Sequence, residues 1–162
     1  MNSRSNKFQF LPFIICLLIP LTVGAIGGLL TMGSVKTWYT TINKPSFNPP
    51  NGIFAPVWTS LYVLMGISSY LVWQKRKIII GYLWAVRIYL LQLILNLMWS
   101  FLFFYQHQIG FALIEIIILL ISIIINAFIF YRINKTAGLL FLPYILWVIF
   151  ASYLTYSIFI LN

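Results

Sequence analysis

Few side chains in this sequence can carry reaction chemistry, and their isolation narrows what they can do. Glu115 is the sole carboxyl side chain, His107 the sole histidine and Cys16 the sole cysteine. One carboxylate cannot divide acid–base work with a second. No Ser/His/Asp, Cys/His or HExxH pattern and no glycine-rich phosphate loop accompanies it. Cys16 lies inside an apolar run, where a lone thiol is a small buried hydrophobe rather than half of a disulfide. His107 sits in a short polar turn, which favours solvent exposure over metal or haem ligation. Glu115 interrupts a long apolar run, so it is expected to pair with an amide or hydroxyl of a neighbouring helix, a proton relay being the alternative. No metal site and no resident cofactor are expected, and no acid–base catalyst.

The uncharged polar and aromatic residues say more, through their phase. Gln92, Asn96, Trp99 and Phe103 follow at steps of four, three and four, so one helical face carries two amides and then two aromatics. Glu115, Ser122 and Asn126 share a face in the same way, as do Trp58, Tyr62, Gly66, Ser69 and Trp73. Trp147, Ala151 and Thr155 form a fourth stripe behind Pro143, which is expected to bend that helix. Two interpretations fit. The stripes are glue between helices, since interhelical hydrogen bonds contribute about 0.6 kcal/mol each. Or they wall a ligand pocket, which needs apolar surfaces and a few convergent polar groups.

The elements that must position these residues follow from composition. Hydrophobic residues make up 62% of the 162 positions and charged residues 7%, against about 25% charged in a soluble domain. Lipid and other helices must therefore surround most side chains. The pattern predicts an all-α membrane protein, a single domain over 1–162: five transmembrane helices at about 8–32, 53–73, 80–105, 111–131 and 137–161. The stretch assigned to the third span is long, which tilt or an extension past the headgroups would absorb. Arg4 and Lys7 ahead of an apolar run resemble the start of a signal peptide. The run continues past Pro20 to Leu30, so it is read as an uncleaved first span. Within it Gly24 and Gly28 form a small-xxx-small surface that permits close approach of a helix of the same chain or of a homodimer partner.

Ten Lys/Arg against one Glu give a net charge of +9. The cations stand between apolar runs rather than on a polar face, which argues against nucleic acid and for anionic lipid headgroups. Arg4, Lys7, Lys75, Arg76, Lys77, Arg132 and Lys135 fall on one side, and only Lys36 and Lys44 on the other. The positive-inside rule then places the N-terminus in the cytoplasm, and the first loop and the C-terminus outside. That loop, 33–52, holds Pro45, Pro49 and Pro50 with Trp38, Tyr39 and Phe47. It has no obvious helix, but its prolines and large rings predict a folded structure rather than a tether.

The stretch WYTTINKPSFNPPNGIFAPVWTSLYVLMGIS from Trp38, QLILNLMWSFLFF from Gln92 and LPYILWVIFASYL from Leu142 together resemble the TspO/MBR family of tryptophan-rich sensory proteins, related to the mitochondrial translocator protein. The resemblance covers the chain from the first span onward. It implies a five-helix bundle of bacterial type in the cell membrane, often a homodimer, with a cavity opening toward the first loop. It further implies a receptor, sensor or carrier for porphyrin-like tetrapyrroles such as protoporphyrin IX, with the porphyrin as ligand rather than cofactor. By position the cavity would be lined by Trp38, Tyr39, Trp58, Tyr62, Asn96, Trp99, Phe103, Trp147 and Ala151. A macrocycle would stack between Trp58 and Trp147, with a hydrogen bond from Asn96. Light- and oxygen-dependent porphyrin breakdown, with Trp58 and Trp147 as electron partners, and small-solute transport are the alternatives. Thr155 stands where the family commonly has Asn. Tyr153 and Tyr156 are followed by no basic residue, so the sterol consensus of animal members is absent.

Overall fold

The computed structural model describes residues 8–162; Arg4 and Lys7 lie outside the described residues. The described chain is built from helices: α1 (Phe10–Lys36), the single turn α2 (Trp38–Thr41), α3 (Asn51–Trp73), α4 (Tyr82–Ser100), α5 (Ile109–Ile133), the short α6 (Lys135–Leu139) and α7 (Leu142–Leu161). A π turn, Phe101–Tyr105, continues α4. Five stretches are long and apolar enough to cross a bilayer: α1, α3, α4 with its π turn, α5, and α6 with α7. This is the five-span membrane bundle that the apolar runs predict. Its outward residues, such as Leu18 and Leu29 on α1 or Ile114 and Ile121 on α5, are large, apolar and exposed, as lipid-facing positions are.

The spans differ from the expected limits where backbone chemistry overrides hydropathy. α1 runs four residues past Met32, through Gly33 to Lys36, because a helix can leave the hydrocarbon without losing its own hydrogen bonds. The first loop is therefore shorter than its apolar gap, and it contains α2, a turn that hydropathy does not mark. The third span is 24 residues long, Tyr82–Tyr105. Its last turn widens: Gln106 N–H donates to Phe101 O at 2.9 Å, and Gln108 N–H reaches back to Leu102 O at 2.9 Å. Ser34 of α1 donates its hydroxyl to Phe104 O in this widened turn. The fifth span is not bent by Pro143 in mid-helix. It breaks at Leu140–Phe141, and Pro143 occupies the first turn of α7, where no N–H is needed.

α1 packs chiefly on α3 and also on α4, while α5 lies between α4 and α7. Close approach of α1 and α3 depends on two glycines. A Cβ at Gly66 would stand 2.8 Å from Leu17 Cα, and one at Gly24 would stand 2.4 Å from a ring carbon of Tyr62. The small surface of α1 thus meets a helix of its own chain at Gly24, whereas Gly28 has no atom within 4 Å of that position.

The centre of the bundle is stitched by one amide. Tyr62 of α3 donates its hydroxyl to Asn96 Oδ1 at 2.5 Å, and Asn96 Nδ2 donates to Tyr144 Oη of α7 at 3.0 Å. All three residues are buried. Two further bonds add to this: Ser68 donates to Ala137 O at 2.7 Å, tying α3 to α6, and Tyr89 to Met65 O at 3.4 Å, tying α4 to α3. Replacing Asn96 by Ala removes both amide bonds and leaves two phenols without partners. Asn96→Ala is expected to lose about 1–2 kcal/mol in reversible unfolding of the detergent-solubilised protein, and Tyr62→Phe about half of that. Wild-type stability in Asn96→Ala would show that the amide does not hold the bundle.

Candidate functional site

A cavity of about 620 Å³ lies between α1, α3 and α4, with Tyr39 of α2 at one end. Its aromatic wall comes from Tyr39 of α2, Phe54, Trp58 and Tyr62 of α3, and Trp99 and Phe104 of α4 and its π turn. The opposite wall is α1, from Leu21 to Lys36, with open space beside Gly28. Trp58 and Tyr62 sit one turn apart and stack, with ring centres 5.7 Å apart and planes at 26°. The edge of Tyr144 meets Trp58 at 6.1 Å, so the indole plane is held from behind. Trp99 stacks on Phe103 at 5.3 Å.

The loop at the α2 end of the cavity is anchored at several points. Tyr39 is buried and donates its hydroxyl to Asn48 Oδ1 at 2.7 Å. Lys44 Nζ donates to Tyr39 O at 2.5 Å and lies 4.8 Å from the centre of the same ring. Asn43 and Asn162 exchange backbone and side-chain hydrogen bonds at 2.9 and 3.0 Å, fastening the loop to the end of α7. Phe47 stacks on Tyr153 of α7 at 5.1 Å. The proline-stiffened segment is thus held both to itself and to α7, the folded loop that its composition predicts.

Of the nine residues expected at the site, the structure puts Tyr39, Trp58, Tyr62 and Trp99 on this cavity. Asn96 lies behind it, with both amide atoms engaged by Tyr62 and Tyr144 rather than turned to a ligand. Phe103 is buried as a second layer between Trp99, Tyr39 and Trp38. Trp38 stacks on His107 of the α4–α5 turn at 4.3 Å, with the planes at 18°. Ala151 is buried on α7, away from the cavity lining. Trp147 faces a separate groove of about 540 Å³ between α3 and α7, with Pro56, Leu64 and Pro143. Trp147 meets Phe54, one turn from Trp58 on α3, at 5.9 Å, but it lines the groove whereas Trp58 lines the cavity. Glu115 is buried without a hydrogen-bond partner among the described residues, not paired with an amide or hydroxyl.

The contributions the stripes do not reveal are those of α1, Phe54 and Phe104. Apart from Thr31 and Lys36, α1 lines the cavity with apolar or glycine residues. Its one legible signal is the Gly24/Gly28 spacing, which points to close packing but at Gly28 marks open space.

The TspO/MBR family profile matches residues 16–161. The chain is 40% identical to the tryptophan-rich protein TspO of Chlorobaculum tepidum over 97% of its own length and 99% of the relative's. It is 39% identical to the protein of the same name in Archaeoglobus fulgidus, over 95% of this chain and 99% of that one. Similarity extends to the bovine translocator protein, 32% identical over 86% of this chain and 83% of the relative.

Burial pushes the Tyr39 hydroxyl up from 10.0 to about 12, with the Asn48 hydrogen bond acting in the opposite sense. The folded chain thus holds this proton to higher pH than the unfolded chain does. The stability that the group contributes is complete below pH 10 and is lost as pH rises toward about 12. Unfolding midpoints of wild type and Tyr39→Phe, compared over that window, are expected to converge as the pH rises. Parallel curves would show that Tyr39 does not remain protonated in the folded loop.

Proposed function

The chain belongs to the TspO/MBR family of integral membrane proteins, and on that footing we propose that it is a binding protein of sensory or carrier type for flat tetrapyrroles of the protoporphyrin IX class. The observation that carries this reading is the aromatic cavity itself. A volume of about 620 Å³ lies within the usual range of small-molecule sites, about 300–1,000 Å³. Its wall of Trp58, Tyr62, Trp99 and Phe104 presents ring faces and edges to a planar apolar body, which aromatic quadrupoles and dispersion favour. Membership of a family whose relatives are named tryptophan-rich sensory and translocator proteins supports a binding role within the bilayer. The same geometry supports one refinement of what the sequence alone implies: the macrocycle lies against Trp58 on the α1 side of α3, not between Trp58 and Trp147. Asn96 serves it indirectly, by fixing the rotation of Tyr62.

The test is a titration of purified protein with protoporphyrin IX, read by quenching of tryptophan fluorescence. Saturable quenching is expected. Trp58→Ala should weaken binding about tenfold, corresponding to about 1.4 kcal/mol of ring contact, and Trp147→Ala should stay within about twofold of wild type. Absence of saturable quenching would defeat the porphyrin reading. Loss on Trp147→Ala alone would move the ligand to the groove between α3 and α7.

A further inference from the structure

The cavity is graded from one end to the other. Its lining on α1 runs from Leu21 to Lys36, a span of about 22 Å at the helical rise per residue. The inner end, near Leu21, Gly24 and Tyr62, lies in the apolar middle of the spans. The outer end holds Asn51, the first residue of α3, and Lys36, the last of α1. Lys36 is the only charged residue among those lining the cavity.

Among the described residues its side chain is free, unlike those of Lys44, Arg76 and Arg87. Lys44 is held by Tyr39 O and the ring beside it, Arg76 lies 3.4 Å over the Trp73 ring and donates to Trp73 O, and Arg87 lies over Trp84. Lys36 is exposed and makes no hydrogen bond, ion pair or ring contact among the described residues. The sole carboxyl side chain, Glu115, is buried on α5 and does not line the cavity. Nothing in the site thus neutralises this ammonium. The C-terminal end of α1 does not attract an anion by itself, since helix ends of that polarity favour cations.

We infer that the cavity selects ligands with a carboxylate at one edge of an apolar body, and that Lys36 is the group that reads it. The inference rests on the cavity being the ligand site. A ligand of this shape places its body against Trp58 and Tyr62 and its anionic edge at Lys36, with the Asn51 amide as a neighbouring donor. A porphyrin with propionates on one edge has this form, and so does a long-chain fatty acid.

Affinities are to be measured on the full chain in nanodiscs of zwitterionic lipid, which supply no competing net anionic charge. Protoporphyrin IX is compared with its dimethyl ester, and hexadecanoate with hexadecanol, in wild type, Lys36→Gln and Lys36→Arg. The acid is expected to bind about fivefold tighter than its uncharged counterpart in wild type, the upper end for a solvent-accessible ion pair. The preference should vanish in Lys36→Gln and persist in Lys36→Arg. Comparison across variants removes the different partitioning of acid and ester into lipid. Equal binding of acid and uncharged counterpart in wild type, or a preference that survives Lys36→Gln, overturns the role of Lys36. If neither porphyrin binds while hexadecanoate shows the Lys36-dependent preference, carboxylate selection stands and the tetrapyrrole reading fails. If none of the four binds, the cavity is not the site and both fail. Unchanged melting of Lys36→Gln is the control for folding, which its exposed position at the end of α1 favours.

Discussion

The amide of Asn96 is the constraint from which the rest of the site follows. It accepts from one helix and donates to another, so α3, α4 and α7 are fixed in rotation about a single buried side chain. Tyr62, held by its hydroxyl, keeps its ring on the surface where α1 passes, and Gly24 is the residue that lets α1 lie there. Trp58, one turn along α3, stacks on the same ring and is braced by Tyr144, the other partner of Asn96. Wall, brace and opposite helix are therefore coupled through three polar side chains. In a bilayer, where apolar surface gains little by leaving lipid for protein, such directional contacts and close packing take over much of the work that burial does in water.

The bundle was legible because its signals are periodic. Apolar runs give the spans, and the stripes through Asn96, Glu115, Tyr62 and Ala151 name faces that are indeed turned inward. Phase identifies a face but not the neighbour that meets it. That is why Asn96 is readable as a special residue while the two helices it bonds, through Tyr62 and Tyr144, are not. The same limit explains Trp147, which shares the inward side of α7 yet opens onto a different space from Trp58. Glu115 shows a further limit: pattern reading supplies a partner that the packing does not.

What stayed hidden has a physical reason too. α1 contributes a wall by what it lacks, and absence of side-chain volume has no hydropathic signature. α1 itself buries only Pro20 and Gly27, so it is the span most open to lipid and the one whose grip on the bundle is narrowest. The first loop shows the opposite case. Its prolines and rings announce rigidity, and the structure supplies the means, with Asn43, Lys44, Phe47 and Asn48 each bonded or stacked in place.

The π turn at the end of α4 resets the angular phase of that helix. In a continuous α-helix two residues five positions apart point about 140° away from each other, so Trp99 and Phe104 could not face the same space. The wider turn takes up an additional residue per revolution and swings Phe104 back, to meet Trp99 edge-on at 5.8 Å on the same wall. Phe103 meanwhile keeps the inward direction set by the preceding stripe. One span thereby presents two consecutive rings to two different surroundings, the packed interior and the open chamber. A slip of a single position separates the part of the helix that builds the core from the part that borders the cavity.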